Sequence, residues 1–254
     1  MLANANIAIV GEFVVVILVC GWAGMIVVAV AAKRLATDPD DLRTGMARLG
    51  LMAYSASLHR TSRVDEGERL ELPASRPLLI VANHASGVDP LLIQAACPYF
   101  IRWMMAADMR WPELGALWRF GRVIFVDRRD GGSAGLRMAI QALRAGDVVG
   151  IFPEGGLERP QGVILPFHEG VGVLIRRSKA IVQPVIVEEA PDAPTARAAL
   201  WTPSKARLRF MPRIDYAGSG ASSAEIAADL QARFLEWTGW PEGERLTMDE
   251  DAPR

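Results

Sequence analysis

The sequence predicts an α/β fold: a mixed, mostly parallel sheet flanked by helices, behind an N-terminal membrane-anchoring helix. Three observations predict it. Short apolar runs of buried-strand type alternate with helical patterns from residue 78 onward. Polar clusters follow three of those runs, where sheets of this class place their ligands. Finally, Phe13 to Ala32 contains no charge and no proline; as a helix it would extend about 30 Å, enough to cross a hydrocarbon core.

Composition narrows the function classes. The 254 residues suffice for one compact domain plus an anchor, and the net charge of -1 lacks the basic excess of a nucleic-acid binder. The two cysteines, Cys20 and Cys97, lie in an apolar run and in a helical pattern. Neither a disulfide nor a metal cluster is expected from them.

The elements follow in order. A cleaved signal peptide is the rival for residues 13–32, with Ala29-Val30-Ala31 as a conceivable cleavage site. Such a peptide wants a basic start and a shorter apolar stretch. Here the first eleven residues carry no Lys or Arg, while Lys33, Arg34, Arg43 and Arg48 follow the run. That bias places the remainder on the cytoplasmic face. Asp41 to His59 shows the apolar spacing of a helix, lying on a membrane or packed on the domain. Residues 1–60 therefore read as the anchor, 61–240 as the catalytic domain and 241–254 as a loose tail.

Strands are expected at Arg69–Leu72, Leu78–Ala82, Arg122–Val126, Val148–Phe152, Ile181–Val187 and Arg207–Phe210. Helices are expected at Pro90–Ala96, Ser133–Arg144, Glu169–Arg177 and Ser222–Trp237, the last with Ser222 or Ser223 as a cap.

The chemistry concentrates in Asn83-His84-Ala85-Ser86-Gly87-Val88-Asp89-Pro90. A histidine at a strand end can act as a general base near neutral pH, and a carboxylate can fix its tautomer. Spacing alone is weak: with three histidines, an Asp five residues after one of them arises by chance about one time in five. Asp89-Pro90 is also an ordinary helix start. On a continuous helix, residues five apart are separated by about 140°, so a His84–Asp89 contact requires a break between them, which Gly87 allows. Two further clusters end apolar strands. Pro153-Glu154-Gly155-Gly156 offers a carboxylate beside two glycines whose N–H groups can bind an oxyanion or phosphate, and Asp127-Arg128 offers a cation. As isolated features these would be a turn and a solvated surface arginine. No Gly-x-Ser-x-Gly nucleophile elbow occurs; Ser86 and Cys97 read as structural. His59, at a helix end where a cation is favourable, and His168 also read as structural. Trp103, Trp111 and Trp118 read as core or interface residues, with a membrane surface open to several of the tryptophans.

Four segments, these three extended and one more, resemble the blocks of the glycerolipid acyltransferase family, in the family's order. His84 to Asp89 is similar to the first block, Gly121 to Arg128 to the second, Phe152-Pro153-Glu154-Gly155 to the third, and Gln183-Pro184-Val185 to the fourth. The resemblance implies acyl transfer without an acyl-enzyme. His84 would take the proton of an acceptor hydroxyl and Asp89 would support it. Arg128, Glu154, Gly155 and Gly156 would contact the acceptor. The implied partners are membrane lipids, a lysolipid acceptor, foremost 1-acyl-glycerol-3-phosphate, and acyl-CoA or acyl-carrier protein as donor, with no further cofactor. Two positions depart from the family. Gly156 and Leu157 stand where Thr or Ser and then Arg are common, and Ala106 where Lys is common. Both losses weaken a phosphate site, with Arg102, Arg110 or Arg159 as substitutes. A lyso-aminolipid acyltransferase, a membrane-bound thioester hydrolase and a non-catalytic lipid-binding protein are the alternatives.

Overall fold

The structure is a computed structural model that describes residues 24–36, 42–67, 71–74, 76–127 and 132–244. The chain forms two compact units, residues 1–53 and 54–254. In the first, helix α1 occupies described residues 24–35, and α2 begins at Leu42 and runs to Ser57. The two helices touch where Gly45 meets Ala32; a Cβ on Gly45 would fall on the Ala32 carbonyl. Met25, Ile26, Val27, Val28 and Val30 are exposed on α1. Among the described residues no helix is long and apolar enough to cross a membrane. The expected anchor, residues 13–32, lies outside the described residues as far as residue 23.

The second unit is built on a seven-stranded sheet. In chain order the strands are β1 (Ser62–Asp65), β2 (Leu78–Ala82), β3 (Ile101–Ala106), β4 (Ile124–Val126), β5 (Val148–Ile151), β6 (Ile181–Glu188) and β7 (Arg207–Phe210). Across the sheet the order is β1-β7-β6-β2-β5-β3-β4. Every pair is parallel except β6–β7. The helices are α3 (Asp89–Ala96), α4 (Gly115–Phe120), α5 (Ser133–Arg144), α6 (Gly170–Ser178), α7 (Ala196–Ala199) and α8 (Ser223–Thr238). The expected mixed, mostly parallel sheet with flanking helices is present.

Strand β2 lies between β5 and β6 and is buried along its whole length. Its alternation feeds two cores. Leu78, Ile80 and Ala82 pack with Leu92 and Ile93 of α3 and with Trp103. Leu79 and Val81 pack with Leu143 of α5, Leu174 of α6 and Leu230 of α8. Helix α8 starts with a reciprocal capping box between Ser222 and Glu225 and ends at Gly239 in the left-handed region. Gly172 lets α6 meet the start of α8, since a Cβ there would fall on the Ser223 carbonyl oxygen. Gly172→Ala is expected to cost about 3 kcal/mol, visible as a lowered midpoint in chemical denaturation.

Three expectations need correction. Residues 71–72 are not a strand, and 69–70 lie outside the described residues; the first strand is instead Ser62–Asp65, paired with β7. Strand β3 was not expected, because Arg102, Met104 and Met105 break any run of branched residues; the buried neighbour β5 selects the strand there. His59 is fully buried, held by the Tyr54 hydroxyl at 2.8 Å and the Ser204 hydroxyl at 3.1 Å. Burial pushes its imidazole below the usual range, so its place rests on this network and not on a cation at a helix end.

Candidate active site

Strand β2 ends at Ala82 and the chain leaves regular structure until α3 begins at Asp89. The Asn83 side chain continues the ladder to β6: its Oδ1 accepts from Val187 N at 2.8 Å and its Nδ2 donates to Val187 O at 3.0 Å. The loop then packs down at Gly87, where a Cβ would collide with Ala196. Gly87 is thus needed for close approach, and not for a left-handed backbone. Asp89 is the first residue of α3 and does not cap it; Val88 occupies the cap position, with no side-chain cap.

That geometry brings His84 and Asp89 together. His84 Nδ1 lies 3.0 Å from Asp89 Oδ2, which also accepts from Ser86 N at 2.7 Å. Asp89 is fully buried, and burial raises its carboxyl above the usual range against the pull of His84 and the backbone amides. The imidazole lies flat on Phe152, with centroids 4.0 Å apart and planes at 15°, and Phe152 lies on Trp103 at 5.0 Å and 11°. The side chain of His84 is 20% exposed. Its Nε2 has no hydrogen bond to any described residue. A ring fixed by a buried carboxylate on one nitrogen and by stacking on its face is arranged to accept a proton at the other. Phe152→Leu removes the stack and is expected to lower kcat about tenfold with little change in KM, measured by steady-state kinetics.

Two buried carboxylates brace the histidine from behind. Glu154 Oε1 accepts from the backbone N of His84 at 3.1 Å and Oε2 from Leu165 N at 3.4 Å. Glu158 Oε1 accepts from Asn83 Nδ2 at 3.2 Å, and Oε2 from Gly162 N at 3.1 Å and Val163 N at 3.2 Å. The Glu158 backbone N in turn donates to the His84 carbonyl at 2.9 Å. Burial, with Glu158 nearby, pushes the Glu154 carboxyl up to about 9, and burial pushes Glu158 up to about 7.

The structure separates the expected contact residues. Glu154 is turned inward and fully engaged by backbone N–H groups. Gly155 is exposed, in the left-handed region at φ 71°, with the His168 ring lying where a Cβ would stand. Gly156 follows with open space around it. Arg128 lies outside the described residues. Of the substitute cations, Arg159 donates to the carbonyls of Ala85, Glu158 and Ala193. Arg102 pairs with Asp147 at 2.8 Å. Arg110 lies over the Phe125 ring at 5.1 Å. Sequence reasoning missed Glu158 and the Phe152–Trp103 stack. The closeness of Glu158 to Glu154, in a turn that must fold back, was the one available signal.

Comparison with known proteins now places this geometry. A family model described as Acyltransferase matches residues 63–188, a span that contains His84, Asp89, Glu154 and Glu158. Residues 63–188 thus match the acyltransferase family model, and the chain resembles the glycerolipid acyltransferases. The 1-acyl-sn-glycerol-3-phosphate acyltransferase alpha of Ovis aries is 27% identical over 172 residues, covering 66% of this chain and 59% of that protein. The 1-acyl-sn-glycerol-3-phosphate acyltransferase of Bacillus subtilis strain 168 is 26% identical over 141 residues, covering 54% and 66%. The match thus spans about three-fifths of the mammalian relative's length. The crystal structure of the 1-acyl-sn-glycerophosphate (LPA) acyltransferase, PlsC, from Thermotoga maritima superposes with a TM-score of 0.60 at 19% identity, covering 85% of this chain and 91% of that one, and shows the shared fold.

Proposed function

We propose that this chain is an O-acyltransferase that moves a fatty acyl group from acyl-CoA or acyl-carrier protein to the hydroxyl of a lysolipid. The reading rests on one observation: His84 holds a buried carboxylate at Nδ1 and leaves Nε2 without a partner among the described residues, at the end of a central strand. The acceptor hydroxyl approaches Nε2 and gives up its proton as its oxygen attacks the thioester carbonyl. The tetrahedral centre collapses, the C–S bond breaks, and the imidazolium returns the proton to the departing thiolate. Asp89 keeps the ring's tautomer and stabilises the imidazolium. Arg128, Gly155 and Gly156 contribute at the acceptor side, with Glu154 acting through the backbone of His84.

The names carried by the relatives support 1-acyl-glycerol-3-phosphate as acceptor, giving phosphatidate in phospholipid biosynthesis. A second reading, a lysolipid without a phosphate such as a lyso-aminolipid, is favoured by the engagement of Arg102 and Arg159 with protein groups. The exposed apolar side chains of α1 support a membrane anchor in residues 1–60, with residues 61–240 as the catalytic domain on the cytoplasmic face and 241–254 as a tail.

A panel of lysolipids offered with acyl-CoA and with acyl-carrier protein, with the diacyl product read by mass, tests the proposal. Product from lysophosphatidate alone selects the first acceptor. Thiol released at equal rate with no lysolipid present would identify a hydrolase instead.

A further inference from the structure

A second feature lies along residues 107–123, between β3 and β4. A cavity of about 320 Å³ is lined there by Arg102, Arg110, Arg119 and Arg122 together with Trp118 and Phe125. Arg102 and Arg122 share Asp147, at 2.8 Å and 3.1 Å. Arg110 and Arg119 pair with no carboxylate among the described residues. Asp108 and Glu113, the acidic residues of the same segment, do not line the cavity. It therefore carries a clear cationic excess suited to a phosphate.

Its rim is apolar. Met109 is 44% exposed, Leu117 52% and Phe120 40%. The described residues of the second unit expose only three other large apolar side chains, Leu72, Met138 and Trp201, so half of the total falls within this short segment. Leu117 and Phe120 are three apart on α4 and share a face. Apolar side chains interleaved with arginines and backed by tryptophans are the composition of an element that lies in a bilayer interface.

The position fits as well. The segment leaves the end of β3, which runs parallel to β5 and thus to β2, so it begins at the same end of the sheet as His84. Arg197 lies over the Trp111 ring at 4.8 Å, and its neighbour Ala196 is the residue against which Gly87 packs.

We propose that residues 107–123 dock the catalytic unit on an anionic bilayer: the arginine cavity takes a phospholipid headgroup phosphate, and Met109, Leu117 and Phe120 enter the acyl-chain boundary. The inference rests on the proposed action on a membrane lipid, but it is tested by position and not by turnover. The full chain with Cys20→Ser and Cys97→Ser carries an environment-sensitive fluorophore at Leu117→Cys, at Phe120→Cys or, as a control on exposed α5, at Met138→Cys. It is reconstituted in phosphatidylcholine vesicles with or without phosphatidylglycerol. With phosphatidylglycerol, labels at 117 and 120 should shift to the blue and be quenched by lipids brominated on their chains, while the label at 138 stays in water. Arg110→Glu with Arg119→Glu should abolish that quenching, and high salt should reduce it. Labels at 117 and 120 that remain unquenched would overturn the proposal, as would quenching indifferent to the charge reversal. A shift caused by soluble acyl-CoA, with no quenching by brominated lipid, would assign the cavity to the donor and equally overturn it. His84→Ala should dock normally, so the docking and the chemistry fail separately.

Discussion

Replacing His84 with alanine is expected to lower kcat for acyl transfer about a thousandfold while leaving KM for the lysolipid within a factor of a few. On the proposed mechanism its side chain receives the acceptor's proton at the end of β2. Its Nδ1 is committed to Asp89 and its Nε2 bonds to none of the described residues. Asp89→Asn keeps the shape but reverses the requirement at Nδ1, because an amide nitrogen placed there donates. It should lower kcat by 10² to 10⁴. Steady-state kinetics with the acceptor that the lysolipid panel selects distinguish these losses from unfolding when paired with a thermal melt. A His84→Ala variant of undiminished kcat would reject the assignment.

Stability should fall as pH rises from about 4.5 toward 9, and Glu154→Gln should flatten that fall. The ordinary value for both glutamates is 4.5; in the fold Glu154 is raised to about 9 and Glu158 to about 7. A carboxyl with a raised folded value favours folding fully below its unfolded value. That contribution is lost as pH climbs through the folded value, where the buried group must ionise. Each unit corresponds to about 1.4 kcal/mol. With the two groups sharing one environment, the loss is on the order of a few kcal/mol across the window. At low pH the Gln variant should be the less stable by about 2 kcal/mol, because its amide nitrogen faces a backbone N–H. Toward pH 9 the order should reverse, since Gln cannot ionise. Denaturant midpoints of the full chain at a series of pH values read this directly. Parallel curves for the two proteins would show that Glu154 does not titrate there.

Much of the sheet was legible in the sequence: Leu78–Ala82 is a continuous apolar run, Arg207–Phe210 alternates arginine with an apolar residue, and both were placed to the residue. The helix Ser133–Arg144 was equally clear from its periodicity and the glycine that follows. What escaped were elements whose conformation is chosen by neighbours. Ser62–Asp65 is polar and becomes a strand only beside β7, and Ile101–Ala106 only beside β5. The His84–Asp89 pair could be suspected from local sequence because both partners lie on one loop. For Glu158 the local sequence offered only its closeness to Glu154, since its partners Asn83 and Val163 are brought together only by the return of the chain. Arg159 invited assignment to a ligand phosphate, but three backbone carbonyls already take its hydrogens.

His84 and Asp89 are carried by one short loop whose two ends, β2 and α3, pack into the same hydrophobic core. Because both groups lie on that one short loop, no hinge between distant segments must swing shut to assemble them. On the proposed mechanism, the proton acceptor is then ready before either substrate arrives. Evolution can then vary the surrounding loops for new headgroups or chain lengths without rebuilding that unit.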